Sequence, residues 1–196
     1  MFISPSTGHQ KETMTETLNS TKTYVVDTAH SHVRFWVRHL MISKVHGEFG
    51  SVSGAVDAVP GQPTTGLLDV TVDVTSINTG NEGRDGHLKS PDFFDVEKFP
   101  TMTYRSTKVT ELGDGEYEVQ GDLTIRGVTK PVALRAEISE EIASPFGGTK
   151  VGVSATGKID REAFGLTWNQ ALETGGVAVG KEVNIQIDVE LDRAAE

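Results

Sequence analysis

Between Thr23 and Leu191 this chain switches between apolar and polar almost residue by residue, and that period restricts the backbone more than any other feature. In YEVQGDLTIR, Tyr117, Val119, Leu123 and Ile125 fall on one side, against Glu118, Gln120, Asp122 and Thr124. VNIQIDVEL sets Val183, Ile185, Ile187, Val189 and Leu191 opposite Asn184, Gln186, Asp188 and Glu190. Leu68, Val70, Val72 and Val74 alternate in the same way, as do Val132, Leu134, Ala136 and Ile138. VGVSATGKI continues with Val151, Val153, Ala155 and Ile159. A period of two belongs to strands with one dry and one wet face, hence to antiparallel sheet.

The pattern predicts about eight strands, near residues 23–28, 30–40, 47–58, 66–77, 99–112, 115–126, 129–143 and 148–160, with a closing one near 182–193. VPGQPTTG, LGDGE, IRGVTKP and SPFGGT supply the turn signals between them. No heptad, repeat or long helical pattern appears. So many amphipathic strands either stack as a sandwich or close as a barrel. Gly54, Gly121 and Gly157 lie inside long strands, which suits the bends of a closed, coiled sheet. The preferred reading is therefore an all-β antiparallel barrel of about eight strands, wide enough to hold one small ligand.

Length and charge narrow the function. At 196 residues the chain is most simply one domain with room for a core and a cavity. A formal charge of −10, with no basic stripe, repels phosphate backbones and excludes nucleic acid as an expected partner. It also disfavours permanent docking on an anionic membrane. With zero cysteines there is no disulfide framework and no thiolate chemistry. The N-terminal stretch MFISPSTGHQKETMTETLNSTK has no apolar signal-peptide core, so residues 1–21 read as a disordered leader ahead of a domain at 22–196, with Met14 as a candidate start. No apolar run approaches the ~20 residues of a membrane-spanning helix, and the default compartment is the cytoplasm.

Several motifs are recognisable in order. VDTAHSHVRFWVRHLMISKVHGEFGSVSG, INTGNEGRDGHLKSPDFFDVEKFPTMTY and VQGDLTIRGVTKPV, followed by IDREAFGLTWN and VGKEVNIQIDVEL, together resemble the YceI-like family of polyisoprenoid-binding proteins. The resemblance spans Thr23 to Leu191. It implies an extended, lipocalin-like antiparallel barrel whose apolar interior takes a long isoprenoid or other lipid tail, with no catalytic residues and no cofactor. Many members carry a secretion signal, whereas this leader is polar.

One stretch breaks the alternation: GRDGHLKSPDFFDVEKFP, Gly83 to Pro100. Ser90 or Asp92 is a candidate cap for a short helical turn, with Pro91 at its first position, and Pro100 restarts an extended strand. By resemblance, a helical segment near 82–95 stands beside the barrel. Leu88, Phe93 and Phe94 then form either a plug for one end of the core or a roof over the cavity. Phe93 is the preferred cavity-facing ring and Phe94 the shell-facing one, since Phe94 directly precedes Asp95 and the strand-bound Phe99. Phe35, Val37 and His39, then Phe49, are further candidates for the lining. Leu123, Ile125, Leu134, Val153 and Phe164 complete the candidate set. Arg84, near the rim, Arg126 and Arg161 are candidates for a diphosphate head group, to which a guanidinium offers two parallel donors. The plainer reading of the Arg84–Asp85 and Asp160–Arg161 pairs is charge pairing that fixes loops.

A metal site is the competing reading. His30 and His32 stand two apart, so on a strand both imidazoles face one side, a spacing that suits metal ligands. His39, His46 and His87 are potential further ligands. No H-E-x-x-H, nucleophile elbow, P-loop or dinucleotide fingerprint is present, so the expectation is a protein without catalytic residues or metal. The expected partner is a long-chain lipid or isoprenoid such as a polyprenyl diphosphate, an isoprenoid quinone or a precursor. No permanent membrane insertion is expected, and a homodimer is compatible with the sequence.

Overall fold

The structure is a computed structural model that describes residues 20–172 and 175–195. Most of the expected leader, residues 1–19, lies outside the described residues. The strands are β1 (Lys22–Val26), β2 (His32–His39), β3 (Ser43–Phe49), β4 (Val52–Val59), β5 (Gln62–Asp73), β6 (Ile77–Asn78), β7 (Thr101–Gly113), β8 (Glu116–Ile125), β9 (Val128–Ile138), β10 (Ile142–Ala143), β11 (Thr149–Asp160) and β12 (Val179–Arg193). A single described α-helix, α1 (Glu82–Lys89), and two 3₁₀ turns at Val74–Ser76 and Arg161–Phe164 interrupt them.

Several of these strands are halves of longer bent runs. β1 and β2 bend at Asp27–Ser31, yet both pair with β12, Tyr24 opposite Arg193 and Val33 opposite Ile187. β3 and β4 follow one another and pair with β2 and β1, and β5 and β6 pair with β4 and β3. Each run then pairs with the next, through β7, β8, β9 and β11, to β12, which closes on β1 and β2. The result is one closed eight-stranded antiparallel barrel in which chain neighbours are also spatial neighbours. No described helix is long and apolar enough to cross a membrane.

Turn chemistry corrects the expected boundaries. VPGQPTTG and IRGVTKP contract to two-residue turns, with Val59 paired to Gln62 and Ile125 to Val128. In the second, Arg126 and Gly127 have φ of 51° and 74°, the left-handed pair that matches the twist of a tight hairpin. The helix starts at Glu82, where the resemblance placed the segment, but ends at Lys89 and has a different cap. Its N-cap is Asn81, whose side chain accepts the Arg84 N–H, so neither Ser90 nor Asp92 starts it. Ser90 is instead the C-cap and Pro91 follows the helix, where its missing N–H costs nothing. Residues 91–99 then fold back as tight turns held by Phe94 N–H to Leu88 O and Phe99 N–H to Asp95 O.

The up-and-down order gives the barrel two distinct ends. The β2–β3 turn, the long β6–β7 segment carrying α1, the β8–β9 turn and the β11–β12 segment gather at one end. The β4–β5 and β7–β8 turns, the β9–β11 connection containing β10, and the two strand termini Lys22 and Arg193 gather at the other.

Candidate functional site

The alternating series met in the sequence converge on a single space. Val119, Leu123 and Ile125 of β8, Leu134 and Ile138 of β9, Val153 and Ala155 of β11, and Ile185, Ile187 and Val189 of β12 all line a cavity of about 760 Å³ running along the barrel. Protein interiors pack closely and leave few voids larger than a water molecule, so a space of this size is an architectural feature. Polar groups inside it are few and already satisfied. The Tyr104 hydroxyl donates towards Val119 O and Val132 O at 2.9 and 3.2 Å, and burial pushes its pKa up to about 12. Gly121 makes room for that ring: a Cβ there would sit 2.6 Å from Tyr104 Cζ and 2.5 Å from Arg105 O.

The long β6–β7 segment closes one end. Leu88, Phe93 and Phe94 all reach the lining, together with Phe35 and Phe49. Phe93 reaches the cavity as expected, but Phe94 lines it too, and the two rings keep different company. Phe93 is only 5% exposed, and its ring packs against His87 and Trp168 at centroid distances of 5.1 and 5.5 Å. Phe94 is half-buried and meets Phe49 edge-on at 5.9 Å, extending the Phe35–Phe49 pair along the cavity. Phe93 thus joins the lining to His87 and Trp168 outside it, whereas the ring partner of Phe94 is Phe49 of the lining.

Arg161 sits at the same end, 4% exposed and part of the lining. Its guanidinium donates to the carbonyls of Gly180, Leu166, Trp168 and Val179. The nearest carboxylate, Glu162, stands 3.8 Å away, and burial lowers the arginine's pKa from its ordinary value. Its hydrogen bonds therefore stitch the β11–β12 segment over the barrel end. Asn169 reinforces the stitch, its side chain accepting from Val179 N–H and donating to Val179 O.

The opposite end is open. Here the lining passes through the exposed residues Gly61, Gln62, Gly115, Ser139 and Glu140. β5 and β7 pair only across Asp69–Asp73 and Thr101–Arg105, so the wall splits between the start of β5 and the end of β7. The β9–β11 connection arches beside this mouth. Glu141 anchors it by accepting from the Tyr24 hydroxyl and from Arg193 Nη1. Burial first, and then the bond to Glu141, push Tyr24 up to about 12.

Other expected positions fall elsewhere. His39, at the last residue of β2, is off the lining. Phe164 is 2% exposed but packs in the surrounding core, because the 3₁₀ turn after β11 rotates it away from the cavity. Arg84 points back along its own loop to Thr79 Oγ1 and Thr79 O, at 2.7 and 2.8 Å, and does not reach a rim. Arg126 donates to Phe93 O and Gly165 O, bridging the two segments that close the end. Neither arginine lines the cavity. Tyr24, Met102 and Glu141 line it without having been expected; their signal, continuation of the inward phase for the first two, was present in the sequence.

The paired-histidine premise also changes. His30 lies in the Asp27–His30 turn rather than on a strand, so it shares no strand face with His32. Asp27, His30 and Glu190 do bring ligand atoms within 4.8 Å of one another. Lys150 Nζ occupies their midst, 2.7 Å from Asp27, 3.2 Å from Glu190 and 3.0 Å from Asp192. The ammonium holds Asp27 well below the usual carboxylate range, and Asp27 in turn holds His30 above the ordinary imidazole value. The cluster is an ion-pair network that already contains its cation.

A closed antiparallel barrel with an apolar interior, stoppered at one end and open at the other, defines a lipocalin-like binding barrel. The chain belongs to the YceI-like family, whose domain model matches residues 24–191. A UPF0312 protein of Staphylococcus aureus (strain N315) is 42% identical over 168 residues, covering 85% of this chain and 95% of the relative. Among solved structures, BcnA of Burkholderia cenocepacia superposes with a TM-score of 0.73 at 25% identity, covering 84% of this chain and 98% of that one. A polyisoprenoid binding domain from Saccharophagus degradans shares the fold at a TM-score of 0.65 and 16% identity, over 87% of this chain and 98% of its own.

Proposed function

We propose that this chain is a non-catalytic carrier that encloses the tail of a long isoprenoid-type lipid in the barrel. The observation that carries this is the cavity of about 760 Å³ and its nearly unbroken aliphatic and aromatic wall. Each methylene moved from water into such a wall contributes roughly 0.8 kcal/mol. About ten enclosed methylenes supply on the order of 8 kcal/mol, before the cost of association is subtracted. Little polar recognition is then required. Family membership and the description of the Saccharophagus degradans fold neighbour as a polyisoprenoid binding domain support the same class of ligand.

The charges of the lining and the mouth favour an uncharged head over a diphosphate. The two cations of the lining are engaged, Arg161 with backbone carbonyls and Arg34 with Asp188 at 3.2 Å and Glu48 at 3.9 Å. The mouth carries Glu140 and Glu141 instead, and while Glu141 is paired with Arg193, Glu140 repels a diphosphate. An isoprenoid quinone or a neutral precursor suits this distribution better. Organic extraction of the purified protein followed by mass spectrometry tests the reading. A neutral prenyl lipid in the extract is the expected result. Repeatedly empty extracts, with no uptake of added prenyl lipid at micromolar concentration, would overturn it.

A further inference from the structure

Four large apolar side chains face water beside the mouth of the barrel. Phe146, 97% exposed, stands at the tip of the β10–β11 hairpin, within Ser144-Pro145-Phe146-Gly147-Gly148. Ile142, on the same hairpin, is 60% exposed. Leu67, midway along β5 in its stretch not paired with β7, and Leu112, near the end of β7, are 64% and 52% exposed, and they belong to the two strands between which the wall splits. The strand directions place all four at the open end. The hairpin is tethered there by Glu141, whose partners Tyr24 and Arg193 lie on β1 and β12.

We infer that this end of the barrel docks transiently on a lipid bilayer, with Phe146 entering the interface, so that a lipid tail passes between bilayer and cavity without crossing water. The inference rests on the carrier reading. Position beside the mouth singles out the bilayer as occupant, because Leu67 directly adjoins Gly66 and Leu68 of the lining and a long-tailed cargo resides in membranes. A second copy of the chain suits the surface less well. A stable protein interface buries about 800 Å² per partner on a broad face. Four side chains spread over a hairpin and the unpaired stretches of two strands form protruding points instead. Charge selects the kind of bilayer: Glu111, Asp114 and Glu140 are exposed at this end, and the chain carries −10 overall. The preferred surface is therefore zwitterionic, and anionic lipid weakens docking through a repulsion that salt relieves.

The test measures how fast a fluorescent neutral prenyl lipid moves from phosphatidylcholine vesicles into the protein, beside binding of the same lipid delivered from detergent. The Phe146→Ser and Ile142→Ser,Phe146→Ser variants alter exposed side chains only. Expected is transfer at least fivefold slower in the double variant, with detergent-delivered affinity unchanged, and slower wild-type transfer from vesicles containing phosphatidylglycerol at low salt. Equal transfer by wild type and double variant would overturn the proposal. So would a wild-type dimer that the double variant loses, since the patch would then be an interface between copies. Failure to bind from detergent as well would sink the carrier reading itself, a result distinguishable from a docking defect.

Discussion

Phe93 and Phe94 show how far one residue's role depends on its neighbours in space. Phe93 is buried against His87 and Trp168, and its replacement by alanine is expected to cost about 3–5 kcal/mol in unfolding free energy. Phe94 is half-buried and packs on Phe49, so Phe94→Ala is expected to cost less, about 1–3 kcal/mol, and to speed lipid release. Denaturant unfolding and lipid off-rates of the two variants check the assignment; equal stability losses with unaltered release would make the pair a plain core plug. Arg161 provides a second case. Arg161→Met removes the guanidinium donor from the carbonyls of Gly180, Leu166 and Trp168, Val179 O keeping that of Asn169, and a loss of at least about 3 kcal/mol is expected on thermal or chemical unfolding. The adjacent phenylalanines were legible as a feature of consequence, but that both line the cavity and that only Phe93 is braced from outside was not. That depends on Trp168, which lies far along the chain. In the same way Arg161 was legible as a charge but not as a brace, because its acceptors exist only after residues 166–180 fold back.

At the level of elements, the bend between β1 and β2 is fixed by charge. Asp27 N–H donates to Glu190 O, and Lys150 of β11 joins Asp27 to Glu190 and Asp192 of β12. The raised pKa of His30 contributes stability in full below the ordinary imidazole value of 6.5, and that contribution disappears as pH rises through the folded-state value. The depressed Asp27 contributes above its ordinary value of 3.8 and loses its share only as pH falls through a lower one. His30→Gln is therefore expected to lower the melting temperature by about 1–3 °C near pH ~5.5 and to leave it unchanged near pH ~9, the small size reflecting an exposed pair. Melting curves at the two pH values decide it; an equal drop at both would mean that His30 acts by packing. The strands themselves were the most readable elements, since Val119, Leu134 and Ile187 kept their period-two phase from sequence to cavity wall. The helix cap was not readable, because Asn81 competes with Ser90 and Asp92 for that role and only the backbone geometry ranks them.

At the scale of the molecule, eight runs close into one barrel because each pairs with its chain neighbour and the last returns to the first. Barrel closure was legible from strand number, length and internal glycines. Which end opens was not, since it depends on where β5 and β7 part and on how the β6–β7 and β11–β12 segments pack over the other end. The central claim is that the enclosed space exists to hold a lipid tail, and Ala155 allows it to be tested from inside. Ala155 lines the cavity opposite Ala136 on the neighbouring strand. In a filled core, Ala155→Trp forces overpacking and costs typically about 1–3 kcal/mol or more. In this barrel the indole has the cavity to enter. The decisive measurement is the dissociation constant of a neutral prenyl lipid for wild type and Ala155→Trp, with melting temperatures taken on the same samples. The account predicts micromolar or tighter binding by wild type, at least about tenfold weaker binding by the variant, and melting temperatures within about 3 °C of each other. Undiminished lipid binding in a folded Ala155→Trp protein would contradict it.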